Sequence, residues 1–398
     1  MSWLVSLVQV IALMPRNKSL PPATAFAAAL LLTACGSDAP VAEPPPPPCD
    51  ARCDYISLDS PVDRAVLDAR IDPLFSDPAQ AETRALLVLR YGKPIAERYG
   101  PGFSAETPLI SWSMEKSVTA VLIGMLVADG RLRLDDPAPI PEWQSPGDPR
   151  RDITLRHLLH MASGLDHTEG LDANEPGAIY DGDTVRMLFL EGADDMARYA
   201  ESRPMEARAG EKFEYSSATT VILADIIARE LTDSKTPRVR MEAVQRFAKG
   251  RLFEPLAMDS AVVEFDRAGT MIGGSIMHAT ARDWAKFGEF LRTGGSIGGA
   301  QIIPRKWIEF MRTPSATNAV YGGHIWLNAR AGADGLPILF PDAAPANTFA
   351  ALGHLGQYVI VSPDQGLTVV RLGKTQDEER QAVRDQLGRI VNLFPVGG

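Results

Sequence analysis

Ser113 and Lys116, in the run Ser111-Trp112-Ser113-Met114-Glu115-Lys116, are the residues whose types and spacing first suggest chemistry. After Lys116 the apolar positions Val118, Val121, Leu122, Met125 and Leu126 recur at helical spacing, which predicts one buried stripe of an amphipathic helix. Asp129-Gly130 supplies its stop. The serine then lies in the first turn, with the lysine one turn later on the same side. A hydroxyl at the positive end of a helix dipole favours an alkoxide or an oxyanion. A desolvated lysine beside it can lose its proton and activate the hydroxyl. That is the equipment for acyl transfer through serine. A solvated lysine near an N-terminal serine has the same spacing, so the pair needs partners.

Two further stretches offer them. Glu214-Tyr215-Ser216-Ser217 precedes an apolar helix predicted from Val221 to Leu231. A tyrosine is normally inert near neutral pH, but beside an ammonium it can act as a base or relay a proton to a leaving group. The plain alternative is a half-buried tyrosine bonded through its hydroxyl. Gly353-His354-Leu355-Gly356-Gln357 stands on a strand just before a hairpin. Glycines there let a ligand or backbone approach closely. An edge strand can offer an amide to an oxyanion, with the Ser113 N–H as partner donor. His354 can contact the substrate or the leaving group, or simply sit exposed at a strand end.

Composition bounds the rest. The chain has 398 residues, enough for two or three structural units around a large core. It carries a formal charge of −10 and no basic cluster, which argues against a nucleic-acid partner. Its three cysteines, Cys35, Cys49 and Cys53, precede all the candidate residues, so a Cys-rich metal site is excluded and no cofactor is expected.

Residues 14 to 35 read as an export signal: Arg16 and Lys18, an apolar run from Ala25 to Leu32, then Leu32-Thr33-Ala34-Cys35. The last four resemble the lipobox of bacterial lipoproteins, in which the cysteine is lipidated; an ordinary cleaved signal is the alternative. The stretch Met1 to Leu13 is apolar and lacks a basic residue, so Met14 reads as the start. Neither stretch reaches a membrane-spanning length. Gly36 follows the lipidated Cys35, and by resemblance to Gram-negative sorting this implies the outer membrane, with the domain in the periplasm or at the cell surface. Residues 35–54 contain the run Pro44 to Pro48 and form a Pro-rich tether. With Cys35 on lipid, Cys49 and Cys53 can close a small disulfide in an oxidising compartment or remain free thiols.

The globular part begins near Tyr55. Arg84 to Leu89, a turn at Tyr91-Gly92-Lys93-Pro94 and Ile95 to Tyr99 predict a β-hairpin. Residues 134–260 are mostly helical in pattern. Thr280 with Asp283 caps a helix to Leu291. Strands return at Phe349 to Leu352, Tyr358 to Ser362 and Leu367 to Leu372, before a terminal helix carrying Val383, Leu387, Ile390 and Val391. Strands from both ends (55–133 and 261–398) with helices between predict an α+β fold: one sheet built from both termini and a helical insertion.

Taken in order, Ser113/Lys116, Tyr215/Ser217 and His354/Gly356 resemble the S-x-x-K, Y-x-N or Y-S-x, and K-T-G or H-x-G motifs of the serine β-lactamase and penicillin-binding-protein superfamily, specifically the class C β-lactamase-related hydrolases. The resemblance covers about residues 60 to 395. It implies an antiparallel sheet flanked by helices plus an all-helical subdomain, with the site between. It further implies Ser113 as nucleophile, Lys116 and Tyr215 as proton-transfer groups, and the amides of Ser113 and Gln357 as oxyanion donors. Ser217, His354 and Gly356 would contact substrate. Ser217 replaces an asparagine, and His354 a permanent cation, of the β-lactamases. Those departures, with Met161-Ala162-Ser163-Gly164-Leu165, make the chain look closer to the 6-aminohexanoate-dimer hydrolases and related carboxylesterases. Tyr180, Asp181 and Asp183 are candidates for a substrate ammonium, or solvated loop groups. The expected partners are a small-molecule ester or amide and the membrane through Cys35.

Other readings carry less. A β-lactamase or D-alanyl-D-alanine carboxypeptidase shares the machinery. A Ser-His-Asp hydrolase lacks its elbow, because Gly273-Gly274-Ser275-Ile276-Met277 fails the G-x-S-x-G pattern at its last position. His157 and His160 belong to a leucine-rich helix without H-E-x-x-H. A non-catalytic cell-wall-binding lipoprotein explains the N-terminus but not three intact catalytic groups.

Overall fold

The computed structural model describes residues 54–170, 182–330 and 338–397. Cys35, Cys49 and Cys53 lie outside them. A seven-stranded antiparallel sheet joins the two ends of the described chain. Its strands are β1 (Asp54–Ile56), β2 (Glu82–Arg90), β3 (Lys93–Tyr99), β4 (Trp326–Leu327), β5 (Phe349–Gly353), β6 (Gln357–Ser362) and β7 (Leu367–Lys374), in the spatial order β1-β3-β2-β7-β6-β5-β4. The β2–β3 hairpin closes with Tyr91 and Gly92 both at positive φ, 50° and 78°. That is the two-residue turn whose twist matches its strands. Pro94, expected in the turn, sits in β3 at a register shift, where the ladder does without its missing N–H.

The sheet is covered on both faces, so its strands are apolar throughout rather than alternating. Leu86, Val88, Ile360 and Val369 point to one side, against α1 (Arg64–Ile71) and the terminal helix, which carries Val383, Leu387 and Ile390. Leu87, Leu89, Val359, Val361 and Val370 point to the other, with the Ser113 helix, here α2 (Glu115–Ala128). The helix following Thr280 (Ala281–Arg292) packs there too; a methyl on its Gly288 would lie 2.5 Å from Thr368 Cγ2. Each fully buried aliphatic side chain contributes about 1.5–3 kcal/mol.

The sequence predicts α2 as amphipathic, yet every residue from Glu115 to Leu126 is buried. The sheet covers one side, and α3 (Ser217–Leu231) with the helical residues before it covers the other. Polar positions are tolerated because each has a partner: Ser117 Oγ donates to the His324 carbonyl and Thr119 Oγ1 to the Gly273 carbonyl, both at 2.7 Å. Burial on all sides removes water from Lys116. Among the described residues no helix is long and apolar enough to cross a membrane.

Candidate active site

Ser113 sits one turn before α2, in the short 3-10 helix Trp112–Met114. Trp112 has φ 45°, a left-handed conformation costly for a bulky residue. This bend exposes part of the Ser113 side chain while Lys116 is 1% exposed. The Ser113 amide belongs to the opening turns, whose N–H groups have no intrahelical acceptor.

Lys116 Nζ lies 2.9 Å from Ser113 Oγ, 2.7 Å from Ser217 Oγ and 2.8 Å from the Gly274 carbonyl. Burial lowers its pKa, opposed by the negative charge of Glu169 and Glu115. Glu115 is a poor counter-ion. Burial raises it well above the usual carboxylate range, although the Ser275 amide bonds to it at 3.2 Å. The Gly273-Gly274-Ser275 stretch is therefore held by α2 at three points, through Thr119, Lys116 and Glu115.

Tyr215 lies on the chain entering α3, with Ser113 beside its hydroxyl and drawing its proton affinity down. Lys116 Nζ is 4.9 Å from the ring centroid. Trp326 and Tyr321 pack on the ring at 5.3 and 5.8 Å. Burial first, then the Glu169 charge, pushes the phenol well above its ordinary value, so Tyr215 is neutral at rest. Ser113, Lys116 and Tyr215 are thus brought together as one group.

The structure revises several neighbours. Ser217, expected against the substrate, is 1% exposed; its hydroxyl is shared by Lys116 and Glu169. Gly356 is a turn residue. Its φ of 75° suits glycine, and a Cβ would lie 2.5 Å from Thr375 Oγ1 and 2.7 Å from Arg371 Nη1. Its carbonyl accepts from Arg371 at 2.7 Å. Gln357 cannot supply the second oxyanion amide. It begins the interior strand β6, where the ladder turns its N–H toward Gly353, and its side chain bonds the carbonyls of His354, Leu355 and Gly373. Asp183 is buried, taken by Thr168 N–H at 2.7 Å and the Tyr199 hydroxyl at 2.5 Å, so it is unavailable to an ammonium. Tyr180 and Asp181 lie outside the described residues. His354 is exposed at the turn, its ring edge-on to Trp112 at 5.2 Å.

The strand beside Ser113 is β5. A Cβ on Gly353 would lie 2.3 Å from the Ser111 carbonyl. β5 pairs with β4 only at Phe349 and Ala350, and Asn328 N–H reaches the Thr348 carbonyl. Alternation along β5 therefore turns the Leu352 N–H off the open edge, past the end of β4. Around Ser113 thus gather Trp112 with His354 edge-on to it, the β5 edge, and Tyr215 packed on Trp326.

Glu169 is the residue the sequence hides. It follows a buried His167 in a loop of ordinary acidic composition, and nothing local separates it from its neighbours. Its Oε1 lies 2.7 Å from Ser217 Oγ and 3.8 Å from Lys116 Nζ. His157 and His160 play structural parts: His157 closes the Thr154 capping box, and His160 stacks on Phe310 at 5.0 Å.

Residues 71–392 match a family model described as Beta-lactamase. A 6-aminohexanoate-dimer hydrolase of Paenarthrobacter ureafaciens is 27% identical over 232 residues, 57% of this chain and 56% of that protein. The chain thus spans little more than half the length of that curated relative. Among solved structures, a penicillin-binding-protein homologue from Caulobacter crescentus superposes with TM-score 0.58 at 17% identity, covering 83% of this chain and 96% of that one. EstCE1, a hydrolase with promiscuous acyltransferase activity, gives 0.59 at 17% identity, covering 82% and 99%. The structural neighbours share the fold.

Proposed function

Because this chain belongs to the beta-lactamase family of hydrolases, we propose that it cleaves an ester or amide bond through a covalent acyl-enzyme on Ser113. The observation that carries this is the buried Lys116 amine nitrogen 2.9 Å from a reachable Ser113 hydroxyl. Lys116, its proton affinity lowered by burial, takes the Ser113 proton as the oxygen attacks the carbonyl carbon. The amides of Ser113 and Leu352 receive the oxyanion. Tyr215, neutral and in contact with both groups, passes a proton to the leaving alcohol or amine, and water then releases the acid.

The substrate reading is a 6-aminohexanoate-dimer-like amide or a carboxylic ester. Two features support it over a β-lactam or a D-alanyl-D-alanine terminus. His354, lowered in pKa by desolvation first and then by the Arg380 charge, stands at the rim where those anionic substrates need a lasting cation. The Paenarthrobacter relative carries the first of these activities in its name. The sequence supports a further reading, that Cys35 anchors the domain to the outer membrane. Mass spectrometry of full-length protein with an alkyl fluorophosphonate tests the mechanism: one adduct is expected, lost in Ser113→Ala. Short p-nitrophenyl esters, 6-aminohexanoate dimer and nitrocefin then separate the substrates. A well-folded wild type that takes no adduct sinks Ser113 as nucleophile.

A further inference from the structure

Three acceptors surround Lys116 Nζ, and the way they share its protons traces to Glu169. The Gly274 carbonyl, at 2.8 Å, can only accept. Ser217 Oγ can accept or donate, and its single proton has two destinations, Lys116 and Glu169 Oε1, each 2.7 Å away. A carboxylate has no proton to give and forms the stronger, charge-assisted bond. Ser217 therefore donates to Glu169 and turns a lone pair to Lys116. Glu169 cannot swing away, because its Oε2 accepts from the Ser217 amide and, at 2.6 Å, from Thr184 Oγ1.

A neutral lysine has two N–H bonds and one lone pair. Gly274 and Ser217, both held as acceptors, take the two N–H bonds. The lone pair is left facing Ser113 Oγ at 2.9 Å. We propose that Glu169 is a positioning residue of this hydrolase, which acts through Ser217 to aim the Lys116 lone pair at Ser113. This rests on the acyl-enzyme reading above. An amide at position 169 would let the Ser217 proton rotate onto the Lys116 lone pair, and the base would then be occupied without activating the nucleophile.

The same carboxylate sets the charge around the pair. Lys116 is faced by Glu115 on its own helix, by Tyr215 at the start of α3, by His324 from the segment before β4, and by Glu169. Glu169 in turn faces Tyr215, Tyr321, His167 and His354. Its charge raises the proton affinity of both Lys116 and Tyr215. Removing it displaces the pH dependence of Ser113 reactivity downward, whichever of the two governs a given limb.

The test is the second-order rate of fluorophosphonate labelling of full-length protein against pH, with Ser113→Ala as background. Glu169→Gln is expected to label about tenfold more slowly, its profile displaced downward by about half a pH unit or more. Glu169→Asp keeps the charge and should leave the profile in place. In a Ser217→Ala background, Glu169→Gln should change the plateau rate by less than about twofold, because the path between them is already cut, while the displacement of the profile persists. A folded Glu169→Gln with the wild-type rate and profile overturns the proposal, and so does an undiminished loss of plateau rate in the Ser217→Ala background. If Glu169→Gln does not fold, Ser217→Ala alone decides: about a tenfold loss is expected, and a wild-type rate refutes the relay. Wild type that fails to label removes the acyl-enzyme reading itself, and the proposal with it.

Discussion

Gly353→Ala should separate catalysis from folding in this molecule. Gly353 has no left-handed backbone requirement, so alanine is conformationally acceptable there. The conflict is steric: a Cβ would lie 2.3 Å from the Ser111 carbonyl oxygen and 3.0 Å from Gln357 Cβ. Even a tight contact of 3.0 Å requires the two segments to part by about 0.7 Å. Ser111 is pinned, fully buried and bonded to Met277 through its amide at 2.7 Å and its hydroxyl at 3.2 Å. The movement therefore falls on the end of β5 and its turn, and carries the Leu352 amide with it. An oxyanion bond lengthened by that amount leaves the range of about 2.7–3.1 Å in which donors are effective. Losing one such donor costs about 100- to 1,000-fold in rate, whereas overpacking costs about 1–3 kcal/mol of stability. The assay is kcat/KM on a p-nitrophenyl ester beside urea unfolding. Gly288→Ala serves as control: its Cβ meets Thr368 Cγ2 at 2.5 Å, on the helix–sheet contact away from the cleft, so stability should fall and the rate should hold. A folded Gly353→Ala within about threefold of wild type refutes the assignment of β5 as the oxyanion strand.

Two other outcomes follow from buried charge. Arg371 is fully buried and, among the described residues, bonds only neutral acceptors: Thr83 Oγ1, Gly356 O, Thr375 Oγ1 and Glu82 O. Arg371→Lys loses the planar fork and leaves acceptors unpaired, so unfolding in urea should show a loss of about 2–4 kcal/mol and reduced ester hydrolysis as the His354 turn loosens. Burial lowers His324 to about 3 and His160 to about 4, below their unfolded values near 6.5. The unfolded chain then binds more protons, so their contribution to stability is whole above about pH 6.5 and declines as pH falls toward 4 and 3. His160→Phe, which also removes a buried Nε2 that has no hydrogen-bond partner among the described residues, should flatten that decline by up to about 1.4 kcal/mol per pH unit; an unchanged slope contradicts it.

The sequence alone determined what local pattern can encode. Serine and lysine one turn apart at a helix start, strands read from apolar runs between turn residues, and a terminal helix with Val383, Leu387 and Ile390 on one face all follow from periods of 3.6 and 2. The α+β class follows from those elements, and the superfamily was legible as a resemblance carried by the motifs at Ser113/Lys116, Tyr215/Ser217 and His354/Gly356. What tertiary structure decided was contact between distant segments. It buried α2 on every side, which no one-face pattern announces, and so gave Lys116 the dry surroundings a base needs. It put Gln357 inside the sheet and Leu352 at its open edge, a distinction set by which strand pairs with which. It folded Ser217 inward and brought Glu169 from an undistinguished acidic loop to 3.8 Å from Lys116. A carboxylate's role depends on where its oxygens end, and neither propensity nor hydrophobic period records that.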